Sequence, residues 1–187
     1  MLTHTGPAFC AGADLKARGR HVPLVGVLST VWEMPKPVVA RVGGHVRAGG
    51  VGLVAACDLS VAGRDATFAF SEVRLGLVPA VISVVCLPRL RHSDALELFL
   101  TGEPFDAAHA AAAGLVTAVA DDIDAAVARY VEQLRLGAPR ALAEAKRLVR
   151  PPLDFSEMER LSAEFFAGED AREGIAAFLE KRSPAWA

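Results

Sequence analysis

A chain of 187 residues is long enough to bury one sizeable core. Its net charge of -2 argues against nucleic acid or an anionic membrane as partner. No apolar run approaches the ~20 residues of a membrane span. Three widely spaced cysteines (Cys10, Cys57, Cys86) suggest neither a disulfide framework nor a metal pattern. The N-terminus shows no basic segment leading into an apolar one, so no signal peptide is expected. A reducing, cytoplasmic compartment is the expectation. Hydrophobic residues make up 52% and aromatics only 6%, a composition of Ala, Val and Leu that suits packed helices on a buried sheet.

Met1–His4 reads as the end of a strand, followed by the turn Thr5-Gly6-Pro7 and a small-residue loop from Phe9 to Leu15. Val22–Trp32 is apolar at helical spacing, with Leu24, Leu28 and Val27, Val31 on neighbouring faces. Pro35 and Pro37 end it. Val38–Val42 is β-branched and reads as a buried strand. Gly49-Gly50 opens a helix through Cys57, and strands are expected at Leu59–Ala62 and Thr67–Phe70. Ser93 is the expected N-cap of a helix through Leu100, and Thr101–Phe105 reads as a turn. Asp106 caps Ala107–Ala113, with Gly114 at C′, and Leu115–Val119 is strand-like. Asp124–Leu136 follows, then Arg140–Val149 with Pro139 at N1. Ser156 with Glu159 predicts a capping box for Glu157–Phe166, and Asp170 with Glu173 a second for Ala171–Lys181. The plan is a glycine-punctuated α/β region over 1–120 and a helical region over 121–187.

Two features could carry chemistry. Small residues where a strand turns into a helix let backbone N–H groups approach a ligand oxygen, and the helix N-terminus adds partial positive charge. Gly49-Gly50 has that layout, and Ala11-Gly12-Ala13 could offer a donor from another loop. Two converging donors make an oxyanion hole, each worth roughly 3–4 kcal/mol in a transition state. The plain alternative is that Gly-Gly allows close packing of helix on sheet. The second feature is Glu72, an acid between two apolar runs. Burial would raise its pKa toward the range useful for proton transfer. The alternative is a surface carboxylate paired with Arg74 or Arg64.

Taken together, the blocks Ala8-Phe9-Cys10-Ala11-Gly12-Ala13-Asp14-Leu15, Lys36-Pro37-Val38-Val39-Ala40, Ala48-Gly49-Gly50 with Cys57-Asp58, and Phe70-Ser71-Glu72 with Leu75-Gly76-Leu77-Val78-Pro79 carry a resemblance. Leu100-Thr101-Gly102, Ala113-Gly114-Leu115-Val116, Ala171-Arg172-Glu173-Gly174 and Phe178-Leu179-Glu180-Lys181-Arg182 extend it. The series resembles the crotonase superfamily of enoyl-CoA hydratases and isomerases. The resemblance implies an α/β fold, a crotonase-like ββα spiral with an all-helical C-terminal region that builds homotrimers, often paired into hexamers. It implies an acyl-CoA thioester as ligand, with coenzyme A part of the substrate and no separate cofactor or metal. It assigns the thioester-oxygen donors to the N–H groups of Ala13 and Gly49, and the acid/base to Glu72. It places Ala11, Gly12, Asp14, Lys16, Gly50, Gly52, Pro79 and Val81 around the substrate, with Lys16 near the CoA nucleotide.

Three departures from the family pattern stand out. Family hydratases typically use two glutamates across a water molecule. One matches Glu72, but the other falls at Gly52, and the next carboxylate, Asp58, points elsewhere and reads as structural. The glycine-rich turn after Pro79 is replaced by Ala80-Val81-Ile82-Ser83, which should reshape the acyl pocket. The family's opening ββα segment, which helps bind the CoA adenine, would precede Met1, so the spiral is expected to be N-terminally incomplete. Three functions follow: hydration of a 2-enoyl-CoA with Glu72 as the single acid/base, Δ3,Δ2-enoyl-CoA isomerisation by the same glutamate, or a catalytically silent acyl-CoA-binding subunit.

Overall fold

The computed structural model describes residues 1–12, 24–150 and 168–185. The chain divides into two compact units, one of Met1–Met34 with Val38–Ala128 and one of Pro35–Pro37 with Arg129–Ala187.

The first unit alternates its strands between two sheets. β1 (Ala8–Cys10), β3 (His45–Arg47) and β5 (Thr67–Ala69) lie side by side and parallel, and β6 (Phe105–Asp106) closes that sheet antiparallel to β5. β2 (Val39–Val42), β4 (Leu59–Gly63) and β7 (Ala118–Ala120) form the second sheet, all parallel. Leu2 adds a bridge to Ala40, its N–H donating to the Val39 carbonyl at 2.9 Å. Each turn of the chain thus gives one strand to each sheet and then a helix. The helices are α1 (Leu24–Glu33), α2 (Gly49–Ala56) and α3 (Ala80–Cys86). This is the ββα spiral expected from the sequence.

Parallel strands are covered on both faces, so β2 and β4 read as near-continuous apolar runs. Val39, Ala40, Val42, Val61 and Ala62 are buried accordingly. The helix α2, GGVGLVAA, is apolar all round and lies in the core. In α1, Leu28 is buried and Leu24 and Val31 pack against the core, whereas Val27 is exposed. The inward stripe is therefore Leu24, Leu28 and Val31, with the i, i+4, i+7 spacing of one face.

Later in the unit come α4 (His92–Thr101), α5 (Ala107–Ala112) and the start of α6 (Ile123–Arg135). Ser93 is not the cap of α4. Arg91 holds that position in extended conformation, and its guanidinium bonds Asp94 in the first turn at 2.6 Å. Phe105, expected in a turn, forms the edge strand β6 because it pairs with Phe68 and packs its ring against Phe68 and Phe70. Leu115 and Val116 are not yet strand. Their N–H groups turn back to the Ala110 carbonyl at 2.8 and 3.3 Å, closing the end of α5 around Gly114 at φ +91°. The Asp106 cap holds, its carboxylate accepting from the His109 N–H at 2.7 Å.

In the second unit α6 continues to Arg135, and α7 (Pro139–Val149) begins with its proline in the first turn. Lys146 donates to the Lys36 carbonyl at 3.3 Å. The last described helix, α8 (Glu169–Glu180), starts before Asp170, so Asp170 is not its cap. Arg182 clamps Glu173 at 2.7 Å. The capping box expected at Ser156 and Glu159 lies outside the described residues.

Candidate active site

Three consecutive strands of one sheet, β1, β3 and β5, run in the same direction. Their C-terminal ends therefore share one edge. Off that edge come Ala11-Gly12 after β1, Ala48-Gly49 after β3, and Phe70-Ser71-Glu72 after β5. Ligands of open parallel sheets bind outside these carboxyl ends, where loop backbone and helix N-termini converge. Of the sequence features singled out as candidate chemistry, Ala11-Gly12, Gly49 and Glu72 each follow one of these strand ends.

The turn from β3 into α2 is abrupt. Ala48 adopts φ 48°, ψ -122°, a region that a residue with a side chain rarely occupies. Such a conformation costs on the order of 1–3 kcal/mol and persists where surrounding contacts fix it. Here the Ala48 N–H donates to the Ala69 carbonyl at 3.0 Å and the Ala48 carbonyl accepts from Val51 at 2.8 Å. Gly49 follows as the first residue of α2, where an N–H has no partner within its own helix. Gly12, at φ +93°, lies beside this turn: a Cβ on it would sit 3.3 Å from the Ala48 Cβ. The loops after β1 and β3 are therefore in contact. A Cβ on Gly50 would stand 2.6 Å from the Cys10 Cβ, so Gly50 lets α2 press onto β1. Gly50 serves close packing, and Gly49 opens the helix with an N–H that has no partner within α2. Ala13, Asp14 and Lys16 lie outside the described residues.

Glu72 sits in the single 3-10 turn Ser71–Leu75. The turn is held from both sides. Phe70, fully buried, packs on Phe99 with ring centroids 4.3 Å apart. Gly76 at φ +70° closes it, and the Leu77 N–H donates to the Glu72 carbonyl at 3.0 Å. Neither expected arginine reaches the acid. Arg64 pairs with Asp121, while Arg74 bonds the Thr101 carbonyl at 3.0 Å and approaches Glu103 at 3.5 Å. One carboxylate oxygen of Glu72, Oε2, is buried and meets no hydrogen-bond partner among the described residues. Desolvation by burial pushes the carboxyl above its ordinary value, opposed in part by a backbone hydrogen bond. Burial also pushes the Cys86 thiol of α3 well up; Arg89 opposes this and the Glu72 charge adds to it.

Gly52, where a second acid would stand, faces α3. A Cβ built on Gly52 would lie 2.5 Å from Cγ2 and 2.9 Å from Cβ of Ile82, and 3.4 Å from Cδ1 of Leu28. Ile82 is itself 2% exposed, so it has no room to swing away. Of the neighbouring predicted residues, Pro79 is buried and precedes α3, while Val81 is 42% exposed on that helix. Asp58 is structural, as its position in the sequence implies: its carboxylate accepts the Val38 N–H at 2.7 Å.

Sequence reasoning missed Arg89. It follows Pro88 after α3 and donates to the carbonyls of Ala55 (2.7 Å), Cys57 and Asp58 (3.3 Å), the last carbonyls of α2 and the residues beyond it. Its charge thus satisfies the end of the helix whose start is Gly49. No periodicity marks a loop arginine for such a role. Elsewhere, Asp94, Glu97 and His109 bring candidate metal-ligand atoms within 4.8 Å, but Arg91 engages both oxygens of Asp94, at 2.6 and 3.3 Å.

Comparison with known proteins identifies the class. The family model described as enoyl-CoA hydratase/isomerase matches residues 1–187. The chain belongs to this family, the crotonase superfamily. It is similar to an enoyl-CoA hydratase of Mycobacterium avium of known structure: 42% identity, 98% of this chain and 77% of that one, TM-score 0.72. A Bacillus anthracis enoyl-CoA hydratase superimposes with TM-score 0.88 at 30% identity, covering 98% and 79%. Among curated proteins, the mevalonyl-coenzyme A hydratase of Aspergillus fumigatus is 32% identical over all of this chain and 76% of its own length.

Proposed function

We propose that the protein acts on an enoyl-CoA thioester, adding water to the double bond of a 2-enoyl-CoA with Glu72 as its single acid/base. The observation that carries the reading is the partly buried Glu72, with one unpartnered oxygen, at the same sheet edge as the Ala48-Gly49 turn. Family membership and the hydratase names of its relatives support the substrate class.

In this reading the thioester oxygen accepts from the N–H of Gly49, at the start of α2, and from that of Ala13. Water oxygen bonds to the β-carbon, and the double-bond electrons move to the thioester oxygen as an enolate. The two donors and the positive end of α2 stabilise that charge. The Glu72 carboxylate takes the proton the water loses and returns it to the α-carbon. Atoms and charge balance with one carboxylate. The family resemblance assigns Asp14, Ala11, Gly12, Gly50 and Val81 to the acyl-CoA and Lys16 to its nucleotide, with no separate cofactor. The protein works as a homotrimer or hexamer, to be read by analytical ultracentrifugation.

The contact of Gly52 with Ile82 favours a second reading, Δ3,Δ2-enoyl-CoA isomerisation. Glu72 would then move one proton between two carbons, with no second acid to activate water. Purified protein given crotonyl-CoA should lose the absorbance of the enoyl thioester, and Glu72→Gln should abolish the loss. Inertness there, with a conjugated product from a 3-enoyl-CoA, would select isomerisation. Binding of acyl-CoA with neither turnover would select the silent subunit.

A further inference from the structure

Two of the departures from the family pattern touch each other. Where family hydratases carry a glutamate there is Gly52, and where many members carry a glycine-rich turn after Pro79 there is the helix α3 with Ile82. The space opened by the first is filled by the second, since a Cβ at position 52 would overlap Cγ2 and Cβ of Ile82. These are not the far atoms of a pliant chain. A β-branched residue in a helix has essentially one χ1 rotamer, so Ile82 cannot turn aside. Leu28 of α1 closes the same space from another side.

We infer that Ile82 is a specificity-determining residue of the site. It excludes any side chain at position 52 and so confines proton transfer to Glu72. Glu72 is then the acid offered to the substrate, and buried hydrocarbon fills the place where a second acid would stand. The inference rests on the acyl-CoA reading for its chemistry, whereas its steric half stands on the Gly52–Ile82 contact alone.

The test is a double-mutant cycle of Gly52→Glu and Ile82→Ala in this chain, read by Tm and by hydration of crotonyl-CoA. Gly52→Glu alone should lower Tm by about 5 °C or more from overpacking. In the Ile82→Ala background the same change should lower Tm by distinctly less. Should Gly52→Glu fail to fold, Gly52→Ala replaces it, because the clash begins at Cβ. The doubly substituted chain should hydrate crotonyl-CoA at least about tenfold faster than Ile82→Ala, consistent with the gain from a positioned acid/base. Additive Tm changes would overturn the inference whatever the activity. Coupled Tm changes with no gain in hydration would overturn the specificity role. Coupled Tm changes in a chain whose parent turns over no enoyl-CoA would instead sink the function proposed above.

Discussion

Glu72 combines a raised pKa with a buried oxygen that meets no hydrogen-bond partner among the described residues, and both have measurable consequences. Its carboxyl is held above the ordinary value of 4.5 by burial. The native state therefore binds this proton more tightly than the unfolded chain does. The stabilisation this gives is fully present below the unfolded pKa and is lost as pH rises through the folded one. Glu72→Gln removes the charge that burial penalises. The variant should melt higher than the parent at about pH 8, and the difference should shrink toward about pH 5. The same variant should lose roughly 10²- to 10⁴-fold in turnover. The proposed role of Glu72 as base requires it ionised, so the parent's kcat/KM should then fall on the acid side with a midpoint above 4.5. Ala48 offers a second single-residue test. Glycine relieves a strain of about 1–3 kcal/mol there and costs about 0.5–1 in chain entropy, so Ala48→Gly should stabilise by about 1 kcal/mol in a denaturant titration. Valine at the same place should destabilise, since β-branching makes that backbone harder still to adopt.

At the scale of elements, glycines of different surroundings should behave oppositely. Gly26 lies inside α1 with nothing within 4 Å of an added Cβ, so Gly26→Ala should raise stability by about 0.5–1 kcal/mol. Gly50→Ala should lower it by about 1–3 kcal/mol, because Cys10 would have to give way. Calorimetry on the two variants checks both. Much of the element plan was legible in the sequence. The strands β2 and β4, the Asp106 cap, the Gly114 stop and the Gly49-Gly50 helix start all carry local chemistry that acts within a few residues. The errors fall where a distant contact or a competing local bond prevails. Phe105 becomes strand because Phe68 is its neighbour, and Leu115 stays out of a strand because α5 needs its N–H. The candidate residues Gly49 and Glu72 were legible as residue types expected after strands. That Gly52 meets Ile82 was not, because it depends on how α3 packs against α2.

At the scale of the α/β unit, Arg89 ties separate layers together. One side chain serves three carbonyls at the end of α2 and the approach to β4. Burial lowers its pKa, opposed by the charge of Asp58. Arg89→Met keeps much of the volume and leaves those carbonyls without their cation. It should cost roughly 3 kcal/mol, or about 6–12 °C in Tm, without moving the pH midpoint that belongs to Glu72. Among the described residues no helix is long and apolar enough to cross a membrane.

The contact between Gly52 and Ile82 also orders history. In a lineage with isoleucine at position 82, a glutamate at 52 should be harmful on arrival, since its Cβ would overlap Ile82. Position 82 must shrink first, at the cost of a cavity that brings no benefit of its own. Two substitutions that are each disfavoured alone form a barrier to selection. The Gly52–Ile82 pair is therefore easier to keep than to leave, and relatives sharing both residues should trace to a single departure.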